Sequence, residues 1–257
     1  MDKNVNYEYI SGINSVYSLI TRNAGNRKIY EIILNLSRKK DSKIQNILTE
    51  ARKKNIEIVE LESARFNSIS HENINSQGIC ARVSSYNYCN LDEYLNKKTD
   101  SESKLIVLDG VTDIGNFGSI IRNCNAFDFE GIIIPKRRSA ALNERVSRIS
   151  AGALEEIKIF RVVNIVKTLK ELKDKRFWIY GTTLDITPEV KYLNEVNFTL
   201  PLALVLGSED KGMSRLVSAS CDIIISIKLS GRMQSLNVSV ASGIILYKVQ
   251  EQIEREN

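Results

Sequence analysis

Short, nearly continuous apolar runs alternate along the chain with longer stretches in which apolar residues recur every third or fourth position. Continuous runs mark strands buried on both faces of a parallel sheet, and the wider spacing marks helices that lay one side on a sheet. From Tyr9 to Val83 the pattern predicts helices over Asn14–Ile20 and Ser42–Lys54 and strands over Lys28–Leu34, Ile56–Leu61 and Gly78–Val83. That is a small α/β layer, large enough to fold by itself. From Ser84 to Ser103 the composition turns polar, with Tyr86, Tyr88 and Tyr94 among Asn, Asp and Lys, and reads as a linker.

Beyond the linker, strands are predicted over Lys104–Leu108, Ile132–Ile134, Ile157–Phe160, Phe177–Gly181, Leu202–Leu206 and Ile223–Ile227. Helices alternate with them over Asn116–Phe127, Ala140–Ala151 and Asn164–Leu172, and from Asn237 to about Arg255. In the last helix Val240, Ile244, Tyr247 and Ile253 fall on roughly one face, as in an amphipathic helix. The alternation implies a doubly wound α/β domain around a parallel sheet. The expected organisation is therefore 1–84 as a small α/β domain, 85–103 as a linker and 104–257 as a larger α/β domain.

Ligands of open α/β sheets sit beyond the carboxyl ends of the strands, so the loops that leave these strands are where chemistry is expected. Two of them are polar and carry glycines: Gly207-Ser208-Glu209-Asp210-Lys211-Gly212, and Ser230-Gly231-Arg232-Met233-Gln234-Ser235-Leu236-Asn237-Val238-Ser239. A third, Asp109 to Gly115, leads into Asn116, which is placed to cap the next helix, with Gly118 and Arg122 one turn apart behind it. The glycine spacing at Gly207 and Gly212 imitates a nucleoside-triphosphate loop, but Met213 stands where a phosphate-binding lysine must be. No Gly-x-Gly-x-x-Gly follows the Lys104–Leu108 strand, which removes the dinucleotide reading.

Composition narrows the classes further. The 257 residues are 43% hydrophobic, enough for a sizeable core, without an uninterrupted apolar run of membrane length. The start is polar rather than leader-like, so a soluble, cytoplasmic protein is expected. Cys80, Cys89, Cys124 and Cys221 are scattered and His71 is the one histidine, in a polar turn, which argues against a metal site and for buried reduced thiols. The net charge of +5 permits a nucleic-acid partner. Basic residues gather at Arg38-Lys39-Lys40 with Lys43, at Arg52-Lys53-Lys54, and at Lys136-Arg137-Arg138 with Arg145 and Arg148, a distribution suited to an extended polyanion.

Three segments together resemble a known family: Asn116-x-Gly118-x-x-x-Arg122, Leu206 to Met213, and Ser235-Leu236-Asn237-Val238-Ser239-Val240-Ala241. In order, spacing and strand-loop-helix context they look like the three motifs of the SpoU (TrmH) branch of the SPOUT RNA methyltransferases. The segments Pro135 to Asn143 and Ser150 to Ala153 are similar to those of the bacterial branch that methylates a guanosine ribose in the peptidyl-transferase P-loop of 23S rRNA. Ile10 to Val16 and Gln77 to Ala81 resemble the ends of that branch's ribosomal-protein-like RNA-binding domain. Ile114 and Lys228 stand where relatives often carry proline, and Ser76 where the nearest carry histidine.

The resemblance implies a deep trefoil knot in the larger domain, a homodimer, and S-adenosylmethionine as cofactor, contacted around Gly207, Ile227 and Leu236. It implies transfer of a methyl group to a ribose 2′-hydroxyl without a metal. Arg122 is the residue the resemblance offers for drawing the proton from the hydroxyl, but a guanidinium is a reluctant base, so the alternative is that it grips the phosphate beside the target ribose and offsets developing oxyanion charge, with deprotonation direct or through water. Asn116 would orient Arg122 or the hydroxyl, Glu209 would accept hydrogen bonds from Arg122 or the substrate base, and Ser235 and Asn237 would fix the ribose, Asn237 also capping the last helix. The small domain would choose the RNA. The alternatives carried with this expectation are a tRNA or antibiotic-resistance rRNA 2′-O-methyltransferase, and a non-catalytic rRNA-binding assembly factor.

Overall fold

A computed structural model of the chain describes residues 7–23, 25–69, 76–97, 102–185 and 187–256. His71 and its predicted solvated turn lie outside the described residues. The structure divides into two compact units, Met1–Asn87 with Leu142–Glu156, and Tyr88–Ala141 with Ile157–Asn257.

The smaller unit is built on a four-stranded sheet of β1 (Tyr7–Ser11), β2 (Ile29–Asn35), β3 (Glu57–Leu61) and β4 (Ile79–Ser84), in the order β1-β4-β2-β3. β4 runs antiparallel to both its neighbours, and β3 parallel to β2. Successive side chains of a strand point to opposite faces, so β2 and β4 divide their residues between two cores. Ile32, Leu34, Ile79, Ala81 and Val83 pack with α1 (Ile13–Arg22) and α2 (Ser42–Lys53), while Ile33 and Cys80 pack with Phe66 of α3 (Ser63–Ile69).

The segment Leu142–Glu156 completes this unit. Its helix, α6, spans only Glu144–Ile149, shorter than the apolar pattern of Ala140–Ala151 predicts, because Asn143 caps it by accepting from Val146 N at 3.1 Å. Beyond the helix Gly152 takes φ +93, and a Cβ there would sit 2.9 Å from Asn14 O and Ser18 Oγ, so the close approach to α1 requires glycine. Ser11 Oγ donates to Glu144 Oε1 at 2.7 Å and Ser18 Oγ to Glu156 Oε1 at 2.9 Å. In the interior Arg27 Nε lies 3.4 Å from Glu155 Oε2, both side chains fully buried, and Arg27 also donates to Glu8 Oε2 at 2.7 Å and Ser84 O at 2.8 Å.

The larger unit is the doubly wound domain of the sequence reading. Seven strands, β5 (Lys104–Asp109), β6 (Gly131–Pro135), β7 (Lys158–Val162), β8 (Trp178–Thr182), β9 (Lys191–Tyr192), β10 (Leu202–Gly207) and β11 (Ile223–Ser226), lie in the order β7-β6-β5-β10-β8-β11-β9. Every pairing is parallel. One face packs Leu105, Val107, Ile133, Ala203 and Val205 beneath α4 (Leu91–Lys97), α7 (Ile165–Asp174) and α8 (Arg215–Ser218). On the other side α5 (Ile114–Ala126) lies against α9 (Val238–Glu256), joined by Asn123 Nδ2 donating to Ser239 O at 2.8 Å and Ser242 Oγ at 2.9 Å.

Two further elements differ from the sequence reading, and β1, α3, β9 and α8 have no counterpart in it. α4 forms inside the stretch read as a linker, because Leu91 and Leu95, one turn apart, both enter the core and Cys89 N donates to Ile159 O at 2.9 Å beside β7. In α9 the residues named as its apolar face are largely exposed, Val240 at 51%, Ile244 at 39% and Tyr247 at 57%. The side turned to the core instead carries Val238, Ile245, Leu246 and Val249.

Candidate cofactor and catalytic site

β10 is buried along its whole length and ends at Gly207, where the chain reverses sharply. A Cβ on Gly207 would stand 2.1 Å from the carbonyl carbon of Gly212 and 2.2 Å from Met213 N, so no other residue fits. Ser208 and Gly212 exchange backbone hydrogen bonds of 3.1 and 2.9 Å, with Gly212 at φ +62, which closes a small hairpin and projects Glu209, Asp210 and Lys211. The far side of this loop is fixed where Ser214 N donates to Asp109 Oδ2, at the end of neighbouring β5, at 2.7 Å.

Beside the hairpin, at the carboxyl ends of β8, β10 and β11, a cavity opens between the strand ends and the start of α9. Its walls are apolar, with Ile225, Ile227, Leu229, Leu236 and Ile245, and Thr182, Thr183, Gly207 and Ser208 bring backbone and hydroxyl groups to its edge. All three residues expected to hold the cofactor, Gly207, Ile227 and Leu236, line it. Apolar walls with few polar groups suit a purine and its ribose. Thr182, Thr183 and Leu184, which also line the cavity, were missed. The rule that ligands gather at carboxyl strand ends, applied to β8 as well as to β10 and β11, would have found them.

Three of the five expected catalytic residues meet at the cavity mouth. Asn237 Nδ2 donates to Asn116 Oδ1 at 2.9 Å and also to Glu209 Oε1, which in addition accepts from Val238 N at 3.4 Å. The other end of the same amide, Asn237 Oδ1, accepts from Ser239 N at 2.9 Å, Ser239 Oγ at 2.6 Å and Val240 N at 3.4 Å, and so caps α9. Asn116 is not the cap of α5. Asp113 has that role, accepting from Asn116 N at 2.7 Å, and this places Asn116 in the first turn with its side chain directed to Asn237.

Arg122 and Ser235 are not drawn into this network. Arg122 lies exposed on α5, and neither side chain makes a hydrogen bond or ion pair with a described residue. Glu209 is thus held by Asn237 instead of Arg122. Its Oε2, the Asn116 amide nitrogen and the Arg122 guanidinium remain for a ligand to use. Among the described residues no cluster of His, Cys, Asp and Glu is arranged to hold a metal, and no helix is long and apolar enough to cross a membrane. Burial pushes the Cys221 and Cys80 thiols up to about 12, so both stay protonated near neutrality.

Comparison with known proteins bears on the whole of this arrangement. Residues 103–247 match the SpoU rRNA methylase family, and residues 9–89 match the RNA 2′-O ribose methyltransferase substrate-binding family. A protein of Staphylococcus aureus (strain MSSA476) assigned to the TrmH family of tRNA/rRNA methyltransferases is 38% identical over 212 residues, covering 82% of this chain and 84% of its own. Among solved structures, a TrmH-family protein of Porphyromonas gingivalis is 25% identical with a TM-score of 0.74, covering 96% of this chain and 90% of that one. The SpoU methyltransferase AviRb of Streptomyces viridochromogenes, solved with AdoMet, shares the fold at 21% identity and a TM-score of 0.77, with 96% and 90% covered. Fold, motifs and relatives agree, and the chain belongs to the SpoU (TrmH) family of RNA 2′-O-methyltransferases.

Proposed function

We propose that the protein methylates the ribose 2′-hydroxyl of a guanosine in the peptidyl-transferase P-loop of 23S rRNA, in the cytoplasm and as a homodimer, with S-adenosylmethionine as methyl donor. The observation that carries the chemistry is the Asn116–Asn237–Glu209 network beside an apolar cavity at the strand ends. When bound, S-adenosylmethionine would supply an electrophilic methyl group: as the ribose 2′-oxygen bonds it, the C–S bond would break to leave the thioether S-adenosylhomocysteine, and the hydroxyl proton would pass to solvent water. Asn237 holds Glu209 and Asn116 in fixed register, so Glu209 Oε2 accepts from the hydroxyl or the guanine edge while the Asn116 amide donates to the ribose. Arg122, free of carboxylates, clamps the adjacent phosphate and stabilises charge on the 2′-oxygen, and Ser235 steadies the ribose. Orientation supplies much of the rate, since two reactants held in line need no further encounter.

In this reading residues 1–84, with Leu142–Glu156 packed into them, select the RNA, 85–103 join the domains and the remainder of 104–257 performs the transfer. The family's trefoil knot and the ribosomal-protein-like character of the small domain belong to the same reading. The homodimer is supported by α9, where Val240, Ile244 and Tyr247 form an exposed apolar stripe and the Tyr247 ring meets Phe127 edge-on at 6.1 Å. Mapping of ribose methyl groups in RNA from a deletion strain tests the target. Loss at one P-loop guanosine is the expected result, whereas loss in a tRNA with 23S rRNA unchanged would transfer the activity to tRNA.

A further inference from the structure

We propose that a groove in the larger unit, formed by Tyr88, Lys136, Arg137, Arg138, Arg161 and Val163, is the track that holds the sugar-phosphate backbone of the RNA flanking the target nucleotide. The proposal rests on the RNA-methyltransferase reading and adds where that unit takes hold of its substrate. Two concavities at the carboxyl ends of the strands make up the groove, one reaching from Asp109 and Ser214 to Lys136–Arg138, the other from Tyr88 to Lys167. They share Lys136, Val163 and Asn164 and so run into one another. At the inner end Asp109 holds Ser214, the anchor of the loop that carries Glu209, so the track leads to the catalytic network.

The charges of the groove are what single it out. Among the described residues Lys136, Arg137, Arg138 and Arg161 make no ion pair. Arg161 instead donates to Lys136 O at 3.4 Å and lies over the Tyr88 ring at 5.1 Å. The turn that fans out the three consecutive cations is fixed by Ser139 Oγ donating to Pro135 O at 2.8 Å and by Lys136 N donating to Val162 O at 2.8 Å. It also carries Arg138 at φ +58, a conformation uncommon for a residue with a side chain. The acidic residues present are largely occupied: Asp109 accepts from Ser214 N, and Glu171 lies 3.4 Å from Lys167 Nζ, which leaves Asp92 at the outer end. Between the cations Val163, 79% exposed, and Tyr88 offer apolar surface against which a base can lie.

The basic clusters of the small unit are partly neutralised. Arg38 pairs with Asp41, Lys39 with Glu60 and Lys53 with Glu50, each at 2.7 Å, while among the described residues Lys40, Lys43 and Arg52 make no ion pair. A cation already neutralised by a carboxylate releases few counterions from RNA and adds little to its salt-dependent affinity. The sequence alone weighs the two sets of clusters equally, and only the structure distinguishes paired from unpaired charge.

The test uses the full chain and a fluorescein-labelled oligouridylate, with binding followed by anisotropy across a salt series. The groove variant Lys136→Gln/Arg137→Gln/Arg138→Gln should bind about tenfold more weakly or worse and lose about two units of the slope of log affinity against log salt. Its S-adenosylmethionine affinity and melting temperature should match the parent, which separates lost contacts from lost folding. The variant Arg38→Gln/Lys39→Gln/Lys53→Gln should stay within about twofold of the parent. Unchanged affinity and slope in the groove variant, or the larger loss in the small-unit variant, would overturn the assignment. Methyl transfer by the parent protein tests the enzymatic reading separately: absent transfer together with weakened oligonucleotide binding by the groove variant would sink that reading and leave the groove standing.

Discussion

Asn237 uses the two ends of one amide for two purposes, and substitutions can take them apart. Its Oδ1 caps α9 through Ser239 and Val240, and its Nδ2 bridges Asn116 and Glu209. Asn237→Ser keeps an oxygen for the cap, since serine ranks beside asparagine there, but removes the bridge. Glu209 reaches solvent and its freed oxygen can turn to water, but Asn116 is buried, so its orphaned Oδ1 should lower stability by about 1 kcal/mol and the melting temperature modestly. What is lost is the register between the Glu209 carboxylate and the Asn116 amide. A misplacement of about 1 Å costs on the order of 100-fold in rate, which is about 2.7 kcal/mol of activation free energy. Asn237→Ala should show the same fall in turnover plus about 1 kcal/mol of lost stability from the missing cap. Asn237→Asp keeps the cap but sets a carboxylate against Glu209, and should be the slowest of the three. The assay is incorporation of labelled methyl groups into RNA at saturating S-adenosylmethionine, alongside thermal melting of each variant. If Asn237→Ser turns over at the parent rate, the residue is a helix cap and the network has no part in the chemistry.

Arg122→Ala should abolish methyl transfer and leave the affinity for S-adenosylmethionine, measured by calorimetry, nearly unchanged; near-normal turnover would remove Arg122 from the mechanism. Gly207→Ala forces a Cβ to within 2.1 Å of Gly212, so the hairpin must shift and S-adenosylmethionine affinity should fall about tenfold or more, with parent affinity counting against the assigned cavity. Ile244→Asp places a charge in the exposed stripe of α9 and should shift the protein from dimer to monomer in sedimentation. Burial raises the Glu155 carboxyl above its usual range, against the nearby Arg27, so the folded state holds that proton more tightly than the unfolded chain. Stability from this group is then greatest below about pH 4.3 and falls as pH rises through the raised folded value. The melting temperature of Glu155→Gln relative to the parent should therefore increase from acid to neutral pH, and a constant difference would contradict the shift.

Six of the seven strands of the larger unit are legible because burial on both faces leaves little room for a polar residue, as Leu202–Gly207 shows, whereas the two-residue strand β9 carries no such run. α4 was not, because a short helix at a sheet edge needs only Leu91 and Leu95 to dock, and two leucines do not lift a stretch rich in Tyr, Asn and Lys above the look of a linker. α9 misled for the opposite reason. With Val238, Val240, Ile244, Ile245, Leu246, Tyr247 and Val249 in one helix, apolar residues lie on several sides, and periodicity cannot say which side meets the core. Nor does any local pattern reveal that Leu142–Glu156 belongs with the small unit. The reason lies in partners far away in sequence, Ser11, Ser18 and Arg27, and in the glycine that lets the segment approach α1.

At the candidate site, motif order singles out residues but not their partners. Asn116, Glu209 and Asn237 were named as separate contributors, yet they form one network spanning 121 positions between Asn116 and Asn237. Placing the α5 cap at Asn116 was reasonable by residue type, but Asp113 lies one residue before the helix and takes the role, which frees the Asn116 side chain. The two assignments are linked, because an Asn116 spent on capping α5 could not meet Asn237, and Glu209 would lose the neighbour that fixes its position. Choosing between a helix-cap role and a site role for such residues is therefore the wrong question. In Asn237 the cap holds the amide plane still, and that same rigidity lets its other end aim a carboxylate.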